Sequence, residues 1–436
     1  MSKPKPKLVD LKVTEFKTDK TPEEFYSSFV AQLYSALLTG KGMTDNSRYS
    51  FIGINPFYIH ISNEGPFSDI NELLDYYSVK KYDYPLNLWS SIGFISYDSA
   101  HFVEELPKTT VDSYSPPKAV MVFYKDFIVF DHQDKKNYLI QALLENDSYT
   151  DKNEIFEAKN KKYSFSADKN IKCISKEEYC KKVEKIIDYI KKGDVYEVSL
   201  SHQCTATFKG HPYAIFQKLY NINSSPFSAY LAFGDHSVIC NSPERFLFAK
   251  GDKVETRPIK GTAARGKTED EDNRNRIDLL TSEKDSAELA MIVDLLRNDL
   301  GKVSEFGSVA VKDHRRIEAF NNVWHLISII ESRLKKGVKY GDLLKACFPG
   351  GSITGCPKIR SMEIIDELEK DTRHLYTGTI FVANDTRLDS NIIIRTIIAH
   401  KNNLYFNVGG AVVYDSIPEK EYDETMFKAG SIFASL

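Results

Sequence analysis

From residue 48 to residue 142 the chain returns repeatedly to short runs of aromatic and β-branched side chains. They are Arg48-Tyr49-Ser50-Phe51-Ile52-Gly53-Ile54, Phe57-Tyr58-Ile59-His60-Ile61, Ile92-Gly93-Phe94-Ile95-Ser96-Tyr97-Asp98, Ala119 to Phe130 and Tyr138 to Leu143. Residues of this kind fit the pleated, half-buried surface of a strand. The polar breaks at Lys125-Asp126 and Asp131 to Asn137 are brief. Parallel neighbours need a crossover that usually contains a helix, so breaks this short predict an antiparallel meander.

The stretch Glu145 to Lys169 is rich in charge, Asn and Ser and has little apolar periodicity. It is expected to carry the chain between an amino-terminal region, residues 1–165, and a second region, residues 170–436, which together form one composite unit. Ser175 to Lys192 reads as an amphipathic helix, because Tyr179, Val183, Ile186, Ile187 and Ile190 gather on one face. Strands are expected at Val195–Leu200, Ala229–Phe233 and Val238–Cys240, and later at Tyr376–Ala383, Asn391–Ala399 and Leu404–Val413. Helices alternating with clustered strands argue for an α+β fold.

A chain of 436 residues with 42% hydrophobic residues can bury a substantial core. Its formal net charge of -3 leaves no basic excess to neutralise a phosphate backbone, so no nucleic-acid partner is expected. No apolar run approaches bilayer-spanning length, and the basic start Met1-Ser2-Lys3-Pro4-Lys5-Pro6-Lys7 is not followed by an apolar leader segment. A cytoplasmic chain with no membrane contact is the expectation. Cys173, Cys180, Cys204, Cys240, Cys347 and Cys356 lack the paired short spacings of a zinc site or redox dithiol, which predicts buried free thiols.

Several segments carry groups capable of chemistry. Arg257-Pro258-Ile259-Lys260-Gly261-Thr262 sets an amine among short residues just after Asn241-Ser242-Pro243-Glu244-Arg245. In the expected helix Glu283 to Asn298, Glu288 precedes Met291, Ile292 and Leu295 by three, four and seven residues, which puts a carboxylate along an apolar stripe. Such an acid either reaches the edge of the stripe and pairs with Arg297 or belongs to a site. In the closing segment, Glu421, Glu424 and Lys428 share one helix edge, consistent with a solvated ion pair or with a convergent site. The stretch Phe348-Pro349-Gly350-Gly351-Ser352-Ile353-Thr354-Gly355-Cys356-Pro357-Lys358 leads into a helix from Ile359 to Leu368, whose first N–H groups suit an anion. It is not a nucleotide P-loop, because Cys356-Pro357 occupies the place of the required Lys and Ser or Thr.

Taken together, these segments resemble the chorismate-utilising enzymes, the family of component I of aminodeoxychorismate and anthranilate synthases and of isochorismate and salicylate synthases. The resemblance runs over nearly the whole chain. It includes Ser242-Pro243-Glu244-Arg245-Phe246, Pro258 to Thr262, Val293-Asp294-Leu295-Leu296-Arg297-Asn298-Asp299-Leu300-Gly301 and Pro349 to Lys358. Tyr376-Thr377-Gly378, Ile394-Arg395-Thr396, Gly409-Gly410-Ala411 and Glu421 to Lys428 complete it.

The resemblance implies large antiparallel sheets packed as a central sandwich with helices outside. It assigns Mg2+ to Glu288 and Glu424 with Glu421 near its water shell, all hard oxygen donors suited to that ion. It implies chorismate as substrate, met by the cations Arg395 and Lys428, with Thr262, Tyr376, the Thr354-Gly355 region and Gly409-Gly410-Ala411 around it. His325, in Asn321-Asn322-Val323-Trp324-His325, matches an active-site histidine of the family.

Lys260 marks the branch, since anthranilate synthases of the family carry a small residue there and the aminodeoxychorismate enzymes carry lysine. The implied reaction is attack of Lys260 on ring carbon 2, loss of the carbon 4 hydroxyl with Glu244 as general acid/base, and entry of ammonia at carbon 4. A neutral lysine at pH 7 costs roughly 4.6 kcal/mol from a pKa near 10.4, so burial or a nearby cation such as Arg257 is expected to lower it.

Glu197 stands where water-using relatives carry a lysine, which argues against water addition, and Cys356 replaces a commoner alanine. The Leu-Leu-Glu-Ser signature of tryptophan-regulated relatives is missing before Arg48. No cysteine lies in the Gly-x-Cys-x-Gly setting of a glutaminase nucleophile, so ammonia is expected from a separate glutamine amidotransferase subunit. Two other readings are carried forward, anthranilate synthase component I and a catalytically silent chorismate-binding regulatory subunit.

Overall fold

The computed structural model describes residues 5–40, 47–81, 88–320 and 323–436. Residues 1–4 of the basic amino terminus and residues 321–322, beside His325, lie outside them.

The strands form one continuous antiparallel sheet with two arms that share the pair Tyr49–Ser62 and Ala119–Asp131. One arm runs from Tyr49–Ser62 through Ala36–Thr39, Phe227–Phe233, His236–Ser242, Thr396–His400 and Asn403–Val412 to Glu197–Gly210 and the short Gly355–Cys356. The other runs from Ala119–Asp131 through Ser91–Ile95, Thr379–Asn384, Arg387–Asn391, Arg245–Lys250 and Lys253–Thr256 to Val323–Arg333. That last strand is flanked by Ile259–Ala264 and Ala310–Ala319. Strands from both sides of the polar 145–169 stretch therefore interleave.

The two arms face each other across a shared apolar core. Phe94 of one packs 6.0 Å from Phe233 of the other, and Asn391 donates across the gap to the Phe227 carbonyl. This is the expected sandwich, produced by folding one sheet back on itself, and helices cover its outer faces. Lys176–Lys192, capped by Ser175, and Lys358–Leu368 bury Tyr179, Val183, Ile186, Ile364 and Ile365 against Val198, Leu200 and Val412. Each fully buried aliphatic side chain contributes about 1.5–3 kcal/mol. Because successive strand residues face opposite ways, fixing Val198 and Leu200 under these helices turns Glu197 and Ser199 toward the other face.

Three expectations change. The run Asn391–Ala399 is broken, since Arg387–Asn391 and Thr396–His400 belong to different arms and Arg395 turns the chain with φ 51°. The strand expected from Tyr376 begins at Thr379, because Thr377 also takes a positive φ, 62°. The thiols are not all free: Cys173 and Cys204 are disulfide-bonded, while Cys180, Cys240, Cys347 and Cys356 are free. Backbone pairing of Lys172 with Thr205 sets the two Cα atoms 4.4 Å apart, a proximity that their separation of 31 residues does not reveal. No helix among the described residues is long and apolar enough to cross a membrane.

Candidate active site

The far ends of the two arms meet at Lys260 and Glu197. Glu197 begins its strand fully buried, and the Lys260 ammonium donates to its Oε1 at 2.8 Å. The approach depends on small neighbours. A Cβ on Gly355 would lie 2.1 Å from the Glu197 carbonyl oxygen, and Gly261 (φ +72°) allows the register shift between Lys260 and Thr262 opposite Val323–Arg333.

The helix Glu283–Val303 delivers Glu288 to the same place, 4.0 Å from the Lys260 ammonium and 3.9 Å from that of Lys284. Arg297, offered by the sequence as its partner, instead donates to Asp294 at 2.7 Å. Glu288 thus faces Lys260 and Lys284, not Arg297, and its pKa is raised chiefly by burial and also by Glu197, against the pull of Lys260 and Lys284.

The expected depression of the Lys260 pKa is reversed. Burial pulls it down, but Glu197, Glu288 and Glu244 raise it further, so the amine rests as an ammonium. The Arg257 guanidinium meanwhile donates to Glu255 at 2.7 Å.

Glu244 lies in the loop between the two arms, where its backbone N–H donates to Ser242 Oγ at 3.2 Å. Its buried carboxylate accepts from Ser352 Oγ at 2.6 Å, and burial lifts its pKa from 4.5 to about 7 against that bond and Lys260. Beside it, Arg395 acts electrostatically on both Glu244 and His325. His325 is paired through Nδ1 with Thr262 Oγ1 at 3.0 Å, and its buried Nε2 has no protein partner among the described residues. Burial, then Arg395, hold its pKa down to about 3, so the ring is neutral.

A second group assembles around Gly410, which pairs with Leu200. A Cβ there would look into an open cradle, 3.6 Å from Lys428 Nζ, 3.8 Å from Glu421 Oε2 and 3.9 Å from Glu424 Oε1. The helix Pro418–Lys428 supplies all three, with Lys428 donating to Glu424 at 2.7 Å. Lys284 acts electrostatically on Glu288, Glu421 and Glu424, and Lys260 acts on Glu288 and Glu424, so the two groups share one field. Glu421 and Glu424 bordering the cradle, with Glu288 in the same field, are hard oxygen donors that suit a divalent cation such as Mg2+, although the oxygens of the three do not all lie within 4.8 Å of one another.

The remaining expected residues stand differently. The Thr354 hydroxyl donates back to the Gly350 carbonyl at 3.0 Å, and Gly409 and Ala411 pair with Ser201 and Ser199 in the ladder. These are scaffolding contacts. Tyr376 lies with its ring 5.9 Å from the Arg373 guanidinium, which is itself locked to Glu369 and to the Ser199 and Ile353 carbonyls. Sequence reasoning missed Ser352 and Lys284. The second had a readable signal, one helical turn before Glu288.

A family model described as "chorismate binding enzyme" matches residues 43–434. Aminodeoxychorismate synthase component 1 of Bacillus subtilis (strain 168) is 38% identical over 366 residues, covering 80% of this chain and 77% of that protein. Anthranilate synthase component 1 of the same organism is 32% identical over 446 residues, covering 92% and 87%. The crystal structure of anthranilate synthase component I from Streptococcus pneumoniae TIGR4 superposes with a TM-score of 0.77 at 30% identity, covering 89% of this chain and 93% of that one. A model that spans nearly all of the chain, relatives of this similarity and the shared fold establish that the protein belongs to the chorismate-binding enzyme family.

Proposed function

We propose that this chain aminates chorismate at ring carbon 4 with ammonia, yielding 4-amino-4-deoxychorismate and water. The observation that carries the reading is Lys260. It is a buried amine at the junction of the sheet arms, with a carboxylate 2.8 Å away to take its proton and Glu244, half protonated near pH 7, acting on it. Loss of the Lys260 proton to Glu197 frees the amine to attack carbon 2. Both ring double bonds shift in relay, and the carbon 4 hydroxyl leaves as water with a proton from Glu244. Ammonia then attacks carbon 4, both double bonds shift back, and the Lys260 amine departs from carbon 2.

Arg395 and Lys428 are matched to the two substrate carboxylates, and neutral His325 offers Nε2 toward the ring substituents. Glu288, Glu421 and Glu424 are the residues that would hold Mg2+, which when bound supplies a hard Lewis acid for a substrate carboxylate. Ammonia is supplied by a separate glutamine amidotransferase subunit, consistent with the "component 1" names of the relatives. The product would feed formation of 4-aminobenzoate and folate.

Similarity to anthranilate synthase component 1 across 92% of the chain supports ortho amination as the second reading. Product analysis separates the two. Purified chain is incubated with chorismate, Mg2+ and ammonium, with Lys260→Ala in parallel, and products are resolved by chromatography and mass spectrometry. Aminodeoxychorismate from wild type, lost in the variant, is expected. Anthranilate would overturn the branch, and intact chorismate despite demonstrated binding would point to a regulatory subunit.

A further inference from the structure

Within the first arm, at the strand ends away from Ser242 and Arg395, two hairpin tips lie side by side. One joins Phe227–Phe233 to His236–Ser242 through Gly234 and Asp235, and the other joins Thr396–His400 to Asn403–Val412. His236 and His400 are directly opposed across the strands, and their rings stack with centroids 4.3 Å apart at 18°. Both side chains are largely buried, and Asp235 stands over them from solvent.

His236 donates its Nε2 hydrogen to the Tyr114 carbonyl at 3.1 Å, which leaves the Nδ1 lone pair of the neutral ring facing Asp235 Oδ1 at 2.7 Å. Two lone pairs at that distance repel unless a positive charge lies between them. That charge is a proton or a metal ion, and a second imidazole, stacked beside the first, offers a further nitrogen donor. His400 Nδ1 is 3.5 Å from Asp235 Oδ2 and 3.3 Å from the Asp235 carbonyl oxygen. One ligand atom from each of Asp235, His236 and His400 falls within a 4.8 Å cluster. A histidine whose second nitrogen is anchored on a backbone carbonyl is the usual arrangement of a metal ligand.

We propose that Asp235, His236 and His400 form a binding site for a divalent transition metal of the zinc class. Two imidazoles and one carboxylate suit Zn2+, Co2+ or Ni2+, whereas Mg2+ prefers an all-oxygen shell. The site is separate from the active site: the strand between Arg395 and His400 spans about 16 Å. Its role is that of a clip, which joins the tips of two hairpins whose other ends carry Ser242, two residues before Glu244, and Arg395.

The test is equilibrium dialysis of tag-free, EDTA-treated full-length chain against ZnCl2 with excess MgCl2 to occupy carboxylate sites. Wild type is expected to retain one more equivalent of Zn2+ than His400→Ala, and to gain thermal stability with Zn2+ that the variant does not. Asp235→Asn, an exposed change that leaves the core untouched, should weaken Zn2+ binding by at least the roughly 10- to 100-fold that losing even an outer-shell partner costs. Equal Zn2+ retention by wild type and both variants, or none by wild type, would overturn the proposal. Neither result bears on the amination chemistry.

Discussion

Adjacent glycines in the Asn403–Val412 strand should respond in opposite ways to the same added methyl group. At Gly409 a Cβ would lie 2.5 Å from the Leu200 carbonyl oxygen and 2.8 Å from Ser201 Cβ, both on the facing strand. Neither neighbour is a flexible tip, so the backbones must separate. Overpacking costs about 1–3 kcal/mol and a lost ladder hydrogen bond about 1 kcal/mol, giving roughly 2–4 kcal/mol of destabilisation for Gly409→Ala. At Gly410 the nearest atoms are the ends of Lys428, Glu421 and Glu424 at 3.6, 3.8 and 3.9 Å, ordinary contact distances. Gly410→Ala should fold with unchanged or slightly raised stability, since alanine also restricts the unfolded chain.

The Gly410→Ala methyl group would, however, occupy the cradle in front of Lys428. Excluding a substrate oxygen from that ammonium forfeits one charge-assisted hydrogen bond, about 1.5–3 kcal/mol, or roughly 10- to 150-fold in Kd. Urea denaturation measures the first effect, and calorimetric titration of chorismate with Mg2+ present measures the second. A folded Gly410→Ala chain that binds chorismate within threefold of wild type would refute the assignment of Lys428 to a substrate carboxylate. A Gly409→Ala chain as stable as wild type would refute the packing argument.

Glu244 provides a pH signature. Its pKa is raised from 4.5 to about 7 on folding, so the stability tied to its protonated form is complete below about 4.5 and lost as pH rises through about 7. Glu244→Gln should therefore gain stability relative to wild type across that window while losing turnover, and a difference in unfolding free energy that stays flat from pH 5 to 8 would contradict the buried, proton-holding carboxyl. The Cys173–Cys204 bridge closes a separation of 31 residues, worth roughly 3–4 kcal/mol by loop-closure entropy. Under oxidising conditions Cys173→Ser should melt below wild type, with the gap closing in reductant; equal melting in both conditions would argue against the bridge.

The one-dimensional pattern sufficed for whatever depends on neighbours along the chain. The helix Lys176–Lys192 was legible from its apolar spacing, and the antiparallel strands of residues 48–142 from their aromatic runs, but not their order: Tyr49–Ser62 pairs with Ala119–Asp131 and not with Ser91–Ile95, so they do not form the expected meander. Glu288 and Glu424 were also legible, the first as an acid out of place on an apolar stripe and the second as one partner of a helical ion pair. The functional assignment of these acids came from the resemblance of separated motifs, with the family itself established by comparison.

Tertiary structure decided what depends on distant segments meeting. Glu197 and Lys260 are 63 residues apart in sequence and become partners only because the sheet curls until its two arms touch. That contact reverses the expected direction of the Lys260 pKa, since burial and opposite charge act against each other and the outcome depends on distances. The same holds for Cys173 with Cys204 and for the stacked His236 and His400, which strand register brings together. Periodicity records which face of an element a residue occupies; the three-dimensional path determines what that face meets.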